Sequence, residues 1–122
     1  FNNGLHGWEY TEDEYDAAFP VMIKAMRKNA PNAKLIWATT TPIRTGKYCE
    51  RLEERVARIV TRNEIAQKHI SKAKDIKTND LFNLILDHPE YFIGGDGVHP
   101  IDKGYQVLAE QVAKKILESL SE

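Results

Sequence analysis

The run Leu35-Ile36-Trp37-Ala38-Thr39 constrains the fold of this chain more than any other segment. It is short, apolar and bounded by polar residues, which predicts a strand buried on both faces, as in a parallel sheet. Stretches with apolar residues at helical spacing lie before and after it. Strands that alternate with helices are typical of α/β domains. We therefore predict an α/β fold with a parallel sheet.

Three helices are predicted around this strand. The first follows Thr11, because Thr11 and Glu14 form a capping box, and Pro20 predicts either a kink or a late start of this helix. The second spans about 49–71 and the third about 102–120. In the first helix, apolar residues recur at helical spacing at Tyr15, Phe19, Met22, Ile23 and Met26. The residues predicted to face the core are Val56, Ile59, Val60, Ala66 and Ile70 in the second helix, and Tyr105, Leu108, Ala109, Val112 and Ile116 in the third.

The rest of the sheet is only partly accounted for. A weaker strand is predicted at Lys74-Asp75-Ile76-Lys77, and another is implied just before Phe1. The segment 80–95 predicts a short helical turn and then a loop. A parallel sheet is covered on both faces, and two strands cannot provide such a core. We therefore expect a segment before Phe1 to complete the domain, of which residues 1–122 form a part.

The composition is that of an ordinary globular domain. Of the 122 residues, 42% are hydrophobic and 29% are charged, and the formal net charge is -1. No run of Lys and Arg indicates nucleic acid, and no apolar run approaches the roughly 20 residues that cross a membrane. The single cysteine, Cys49, excludes an internal disulfide. We expect neither nucleic acid nor a membrane as a partner, and the residues assign no compartment.

The strongest chemical signal is Asp96-Gly97-Val98-His99-Pro100. This loop places a carboxylate three residues before a histidine, and an amphipathic helix follows at once. A nucleophilic hydrolase needs a base and a group that orients the base. One short loop can supply both groups. No recognisable motif in the chain supplies a nucleophile, so the sequence predicts an acid–base loop that acts with a nucleophile from elsewhere.

Three polar segments are expected to meet near this loop. Residues 2–4 follow the implied strand, residues 39–42 follow the apolar strand, and residues 96–100 precede the last helix. In open α/β sheets, ligands bind beyond the carboxyl ends of the strands. We therefore predict that these segments form one site.

On these residues, the chain resembles the C-terminal part of an SGNH (GDSL-type) hydrolase. Asp96-Gly97-Val98-His99 matches the Asp-x-x-His block of that superfamily, including the common Pro100 and the closing helix. Phe1-Asn2-Asn3-Gly4 resembles its Gly-x-Asn-Asp block, with Phe1 where glycine is usual and Asn3 where aspartate is usual. The serine and glycine blocks find no match. The resemblance covers essentially all 122 residues and implies part of a three-layer α/β/α, flavodoxin-like domain.

The resemblance also implies a mechanism and a substrate. His99 would be the base and later the acid of a serine esterase, oriented by Asp96, and Asn2 would donate to the oxyanion, with Asn3 as the alternative. The serine would come from the missing part of the domain, so this chain alone is expected to be inactive. No metal or organic cofactor is implied. The carbohydrate-directed members of the superfamily make O-acetyl groups on sugars the preferred substrate.

Several residues outside the two matched motifs have more than one interpretation. His6 and Trp8 could line the substrate pocket or simply pack, and Arg44 could meet the substrate or be a solvated loop residue. Asn63 faces inward on its helix and is expected to satisfy backbone groups across the sheet.

Two other functions remain as hypotheses at this stage. One is a non-catalytic carbohydrate-binding or interaction module that keeps the fold without the serine. The other is a metal-assisted hydrolase with a site built from His88, Asp96 and His99. In the simplest alternative, Asp96 only stabilises a Gly-rich turn and His99 is a packed loop histidine.

Overall fold

Helices and strands alternate along the chain as the sequence predicts. The computed structural model describes residues 10–47 and 50–121. Predictions about Asn2, Asn3, His6, Trp8 and Cys49 lie outside the described residues. The elements are α1 (Glu12–Asn29), β1 (Leu35–Ala38), α2 (Leu52–Ile70), β2 (Ile76–Asn79), α3 (Leu81–Leu86), a 3₁₀ turn (Pro89–Phe92) and α4 (Asp102–Leu120).

Helix α1 begins at the predicted capping box. The backbone N–H of Glu14 donates to the Thr11 hydroxyl at 3.2 Å, and the backbone N–H of Thr11 donates to the Glu14 carboxylate at 2.8 Å. Two of the orphan N–H groups of the first turn are thereby satisfied. The helix continues through Pro20 to Asn29, so the predicted late start at the proline is wrong.

The two strands pair in parallel and end at the same level. Leu35 lies beside Ile76, and Ala38 lies beside Asn79. Strand β2 begins at Ile76, two residues later than the predicted start at Lys74. One residue beyond β1, the N–H of Thr39 donates to the carbonyl of Asn79 at 3.0 Å. Both following loops thus leave from the same edge of the sheet.

Helices cover both faces of this pair of strands. On one face, Trp37 of β1 and Ile76 of β2 pack with α1 and α2 around the buried residues Tyr15, Phe19, Ala66 and Ile70. On the other face, Gln111 of α4 donates its side-chain amide to the Asn79 side chain at 3.2 Å. This is the predicted α/β arrangement with a parallel sheet between two helical layers. No helix in residues 10–47 and 50–121 combines the length and apolar character that crossing a membrane requires.

The predicted core faces of α2 and α4 need correction. In α2, the buried residues are Ile59, Arg62, Ala66 and Ile70, whereas Val60 is 37% exposed. In α4, Tyr105 and Ile116 are 52% and 45% exposed, and Ala109 is exposed. The face of α4 that packs inward carries Leu108, as predicted, together with Gly104, Val107, Gln111 and Ser119. The helix therefore carries a second stripe, which includes Tyr105, Ala109 and Ile116 and faces away from the described core.

Phe19 gives a test of the packing between α1 and the sheet. Its fully buried ring lies edge-on to Tyr15 and Trp37, at centroid distances of 5.1 and 4.9 Å, and stacks on His69 at 5.2 Å. We expect Phe19→Ala to lower the free energy of unfolding by about 3–5 kcal/mol, because it leaves a cavity among these rings. Urea denaturation measures the loss. The control Val21→Ala, at a residue 69% exposed on the same helix, should change it by less than about 0.5 kcal/mol.

Candidate active site

The Asp96 carboxylate organises the loop before α4. One of its oxygens accepts the backbone N–H of Val98 at 2.8 Å and that of His99 at 2.7 Å. Gly97, which follows Asp96 in the turn, has a φ of 83°, in the left-handed region that favours glycine. The Asp-Gly pair therefore closes a tight turn that carries His99 back towards the carboxylate.

The second oxygen of this carboxylate contacts the imidazole of His99. The Asp96 Oδ2 to His99 Nδ1 distance is 2.6 Å, and the two side chains are 24% and 67% exposed. An ionised carboxylate can only accept a hydrogen bond, so Nδ1 carries the proton. In the neutral imidazole, Nε2 is then the acceptor. This arrangement matches a general base with its orienting carboxylate.

The same hydrogen bonds keep Asp96 ionised. The backbone N–H of His99, then the His99 ring, and then the backbone N–H of Val98 lower the pKa of the Asp96 carboxyl to about 2. Each of these donors favours the charged form. The carboxylate is therefore a permanent partner for the imidazole at neutral pH.

The C-terminal side of the loop is fixed by close packing. Pro100 is buried, and the N–H of Ile101 donates to the carbonyl of Tyr91 at 2.7 Å. At Gly104, a Cβ atom would lie 2.8 Å from both the Pro100 and the Tyr91 Cβ atoms. The first turn of α4 can approach the 3₁₀ turn this closely only because residue 104 has no side chain.

The loop that follows β1 reaches the Asp96–His99 turn. The N–H of Arg44 donates to the carbonyl of Gly97 at 2.7 Å. Gly46 lies against the peptide between Asp96 and Gly97, where a Cβ atom would overlap backbone atoms. The segments after β1 and before α4 therefore meet, through Arg44 and Gly46, which lie just beyond the predicted residues 39–42. The third expected segment, residues 2–4, lies outside the described residues.

Polar side chains hold the start of this loop at the carboxyl ends of the strands. Asn63 of α2 accepts from the N–H of Thr40 and donates to its carbonyl, both at 2.9 Å. The prediction that Asn63 satisfies backbone groups is therefore confirmed. On the β2 side, the Thr39 hydroxyl donates to Asp80 at 3.2 Å and accepts the N–H of Phe82 at 2.8 Å.

Asp80 was not among the residues that the sequence singled out. It caps α3 by accepting the N–H of Asn83 at 3.1 Å. Partial burial raises the pKa of this carboxyl. The hydrogen bonds from Asn83, Thr39 and Phe82 together lower the pKa by more than burial raises it, so the net shift is downwards. The sequence signal was present in Asp80-Leu81-Phe82-Asn83, where an N-cap residue precedes an apolar stretch. Gly46 was also missed, and nothing local in the sequence marks it.

Arg44 is engaged with neighbouring elements of the fold. Its guanidinium donates to the carbonyl of Leu86 at the end of α3 and lies over the Phe92 ring, 5.8 Å from the centroid. A cation at a helix C-terminus interacts favourably with the helix dipole. Contact between Arg44 and a substrate remains a prediction from the sequence.

His69 and His88 have partners of their own. His88 contacts the Glu90 carboxylate at 2.7 Å and stacks on Tyr91, with centroids 4.7 Å apart. His69 pairs with Asp16 on the α1–α2 side. Across residues 10–47 and 50–121, no three His, Cys, Asp or Glu side chains gather in a way that could hold a metal ion. The alternative grouping of His88 with Asp96 and His99 is therefore not assembled here.

Comparison with known proteins gives likeness in structure only. The sequence matches no protein-family model and no curated protein. The esterase domain of the ORF1 protein from a zebrafish retrotransposon is similar over 89% of this chain and 61% of that chain, with a TM-score of 0.76 and 22% identity. A GDSL-like lipase from Bacteroides thetaiotaomicron is similar over 96% of this chain and 58% of that chain, with a TM-score of 0.72 and 19% identity.

These comparisons confirm the predicted fold. The chain has the α/β fold of SGNH or GDSL-type hydrolases, and it spans about three fifths of the length of the two solved structures. At this level of identity the likeness concerns the fold alone, and folds host many functions. The roles of Asp96 and His99 therefore depend on the chemistry of the loop.

The Asp96 turn predicts a particular acid response. The pKa of Asp96 is about 2 in the folded chain and about 3.9 for a free aspartate. Its contribution to stability is therefore fully present above about pH 3.9 and is lost as the pH falls to about 2. We expect the difference in unfolding free energy between the wild type and Asp96→Asn to shrink over this interval, as measured by urea denaturation at stepped pH. A constant difference would contradict this explanation.

Proposed function

We propose that this chain supplies the acid–base part of a serine ester hydrolase that removes O-acetyl groups from carbohydrates. The observation that carries the proposal is the 2.6 Å contact between the Asp96 carboxylate and Nδ1 of His99, in a loop that is hydrogen-bonded to the segment following the carboxyl end of β1. Ligands of open α/β sheets bind at this end. The fold, shared with an esterase domain and a GDSL-like lipase, supports the reaction class.

In the proposed reaction, the serine hydroxyl attacks the acyl carbonyl and its proton moves to Nε2 of His99. The imidazolium is stabilised by Asp96, which stays ionised because its pKa is about 2. His99 then returns the proton to the departing sugar oxygen, and the acyl group remains on the serine. Water hydrolyses this acyl-enzyme by the same proton transfers in the second half of the cycle. No metal or organic cofactor takes part in this scheme.

The positions of the chain's own serines favour a nucleophile from another segment. The chain contains three serines, Ser71, Ser119 and Ser121. Each donates its hydroxyl to a carbonyl at the C-terminal end of α2 or α4. Ser119 lines a recess together with Leu35 and Lys77, near the amino ends of the strands. The Asp96–His99 loop instead contacts the segment that follows the carboxyl end of β1, so we place the nucleophile on a polypeptide segment that completes the domain.

The exposed stripe of α4 supports such a segment. Ile116, Leu117 and Leu120 are 45%, 68% and 70% exposed. Exposed apolar patches mark surfaces that other polypeptides cover. About two fifths of each solved structure has no counterpart in this chain. A segment of that length can carry both the serine and the cover for α4.

Asn2 completes the proposed site as an oxyanion donor, with Asn3 as the alternative residue. The role comes from the resemblance of Phe1-Asn2-Asn3-Gly4 to the asparagine block of SGNH hydrolases. A side-chain amide aimed at the developing oxyanion stabilises the transition state more than the bound substrate. His6 and Trp8 follow this turn in the sequence and are proposed to line the acyl or sugar pocket.

Substitutions at the site should have unequal effects in the intact protein. We expect His99→Ala to remove most of the activity, because base and acid are lost together, and Asp96→Asn to lower kcat by up to about 10⁴ through the wrong tautomer. Asn2→Ala should lower kcat by about 10²–10³ with little change in KM. Release of acetate from p-nitrophenyl acetate and from an O-acetylated oligosaccharide measures these losses.

The matched control is Asn3→Ala. If Asn3→Ala shows the kcat loss and Asn2→Ala does not, the oxyanion donor is the neighbouring asparagine. Ester hydrolysis by residues 1–122 alone that disappears in His99→Ala would show that the nucleophile lies within this chain and would overturn its assignment to another segment. Activity that survives His99→Ala in the intact protein would overturn the proposed mechanism.

A further inference from the structure

We propose that the segment Arg44–Gly46, called the strap below, is a positioning element that holds Asp96 and His99 in their working geometry. The inference rests on the proposed function, since it assigns a role to residues outside the acid–base pair. It also changes the role of Arg44 from a substrate contact to a positioning residue.

The backbone of the strap is bonded to the turn itself. The Arg44 N–H donates to the Gly97 carbonyl at 2.7 Å, which is in the usual range of N–H···O bonds. Gly97 lies between Asp96 and Val98, and its φ of 83° is part of the turn that brings His99 to the carboxylate. A donor on the Gly97 carbonyl therefore restrains the peptide whose orientation sets the Asp96–His99 contact.

The packing of Gly46 against the turn leaves no room for a side chain. A Cβ atom at residue 46 would overlap the carbonyl carbon and oxygen of Asp96 and the nitrogen of Gly97. These are backbone atoms, which cannot rotate away as the end of a flexible side chain can. Any larger residue at position 46 must therefore displace either the strap or the Asp96 peptide.

The side chain of Arg44 anchors the strap to the rest of the fold. Its guanidinium donates to the Leu86 carbonyl at the end of α3 and lies over the Phe92 ring. Phe92 is 2% exposed and belongs to the buried cluster with Ile85 and Tyr91. Tyr91 in turn accepts from Ile101, just after the turn. The acid–base loop is therefore held on both sides by elements that share one cluster.

The test is Gly46→Ala in the intact protein, with two readouts. Val98 and His99 donate their N–H groups to Asp96, so we expect their amides to exchange with deuterium about tenfold faster in the variant. We also expect kcat to fall by about tenfold to a hundredfold, since a catalytic group displaced by about 1 Å costs that much. KM should stay unchanged. The matched control is Ala66→Gly, which loosens the α1–α2 core at a residue 0% exposed and should alter neither readout.

Arg44→Met is the second variant and distinguishes positioning from substrate contact. It keeps an apolar stem near Phe92 and removes the bond to Leu86, so positioning predicts lower kcat at unchanged KM and faster exchange at Val98 and His99. A rise in KM at unchanged kcat would return Arg44 to substrate binding. Unchanged exchange in Gly46→Ala, or equal changes in Ala66→Gly, would overturn the proposal. In a protein without ester hydrolysis, faster exchange still identifies the strap as the support of the loop, while the proposed reaction fails.

Discussion

The parallel pairing of β1 with β2 is the constraint on which the rest of this structure depends. Both strands are only four residues long, and they end side by side at Ala38 and Asn79. The next peptide extends the pairing through the Thr39 N–H, and the Thr39 hydroxyl then links the two exits through Asp80 and Phe82. Because the exits are tied together, the loop after β1 can reach the turn before α4, and the helix layers on each face have fixed places to pack.

The candidate catalytic pair shows how backbone donors can hold a partly exposed charge. Two backbone N–H groups and one imidazole donate hydrogen bonds to Asp96. Backbone donors in a closed turn are fixed in direction and carry no proton that can be lost at working pH. They lower the pKa of the carboxyl and set the angle at which it meets His99. The same small turn therefore determines both charge and geometry.

Local features of the fold and site could be predicted from the sequence, and contacts between distant segments could not. The Thr11–Glu14 capping box and the Asp96–His99 pair each join residues three apart, so a short motif fully specifies them. Gly46 contacts Asp96 across fifty residues of sequence, and no periodicity or spacing in the sequence predicts this contact. The core face of α4 was predicted only in part, for a related reason. Two stripes occupy the helix, and the contacts of Val107, Leu108 and Gln111 with other elements show which one packs inward.

The second stripe of α4 also affects how the chain behaves in solution. Tyr105, Ile116, Leu117 and Leu120 expose apolar surface whose removal from water is worth about 25 cal/mol per Å². A completing segment, a second copy or a bound molecule that covered this stripe would stabilise the folded form by mass action. The stability of residues 1–122 then depends on the concentration of the molecule that covers the stripe. Melting temperatures of the chain can therefore be compared only at the same concentrations of the chain and of that molecule.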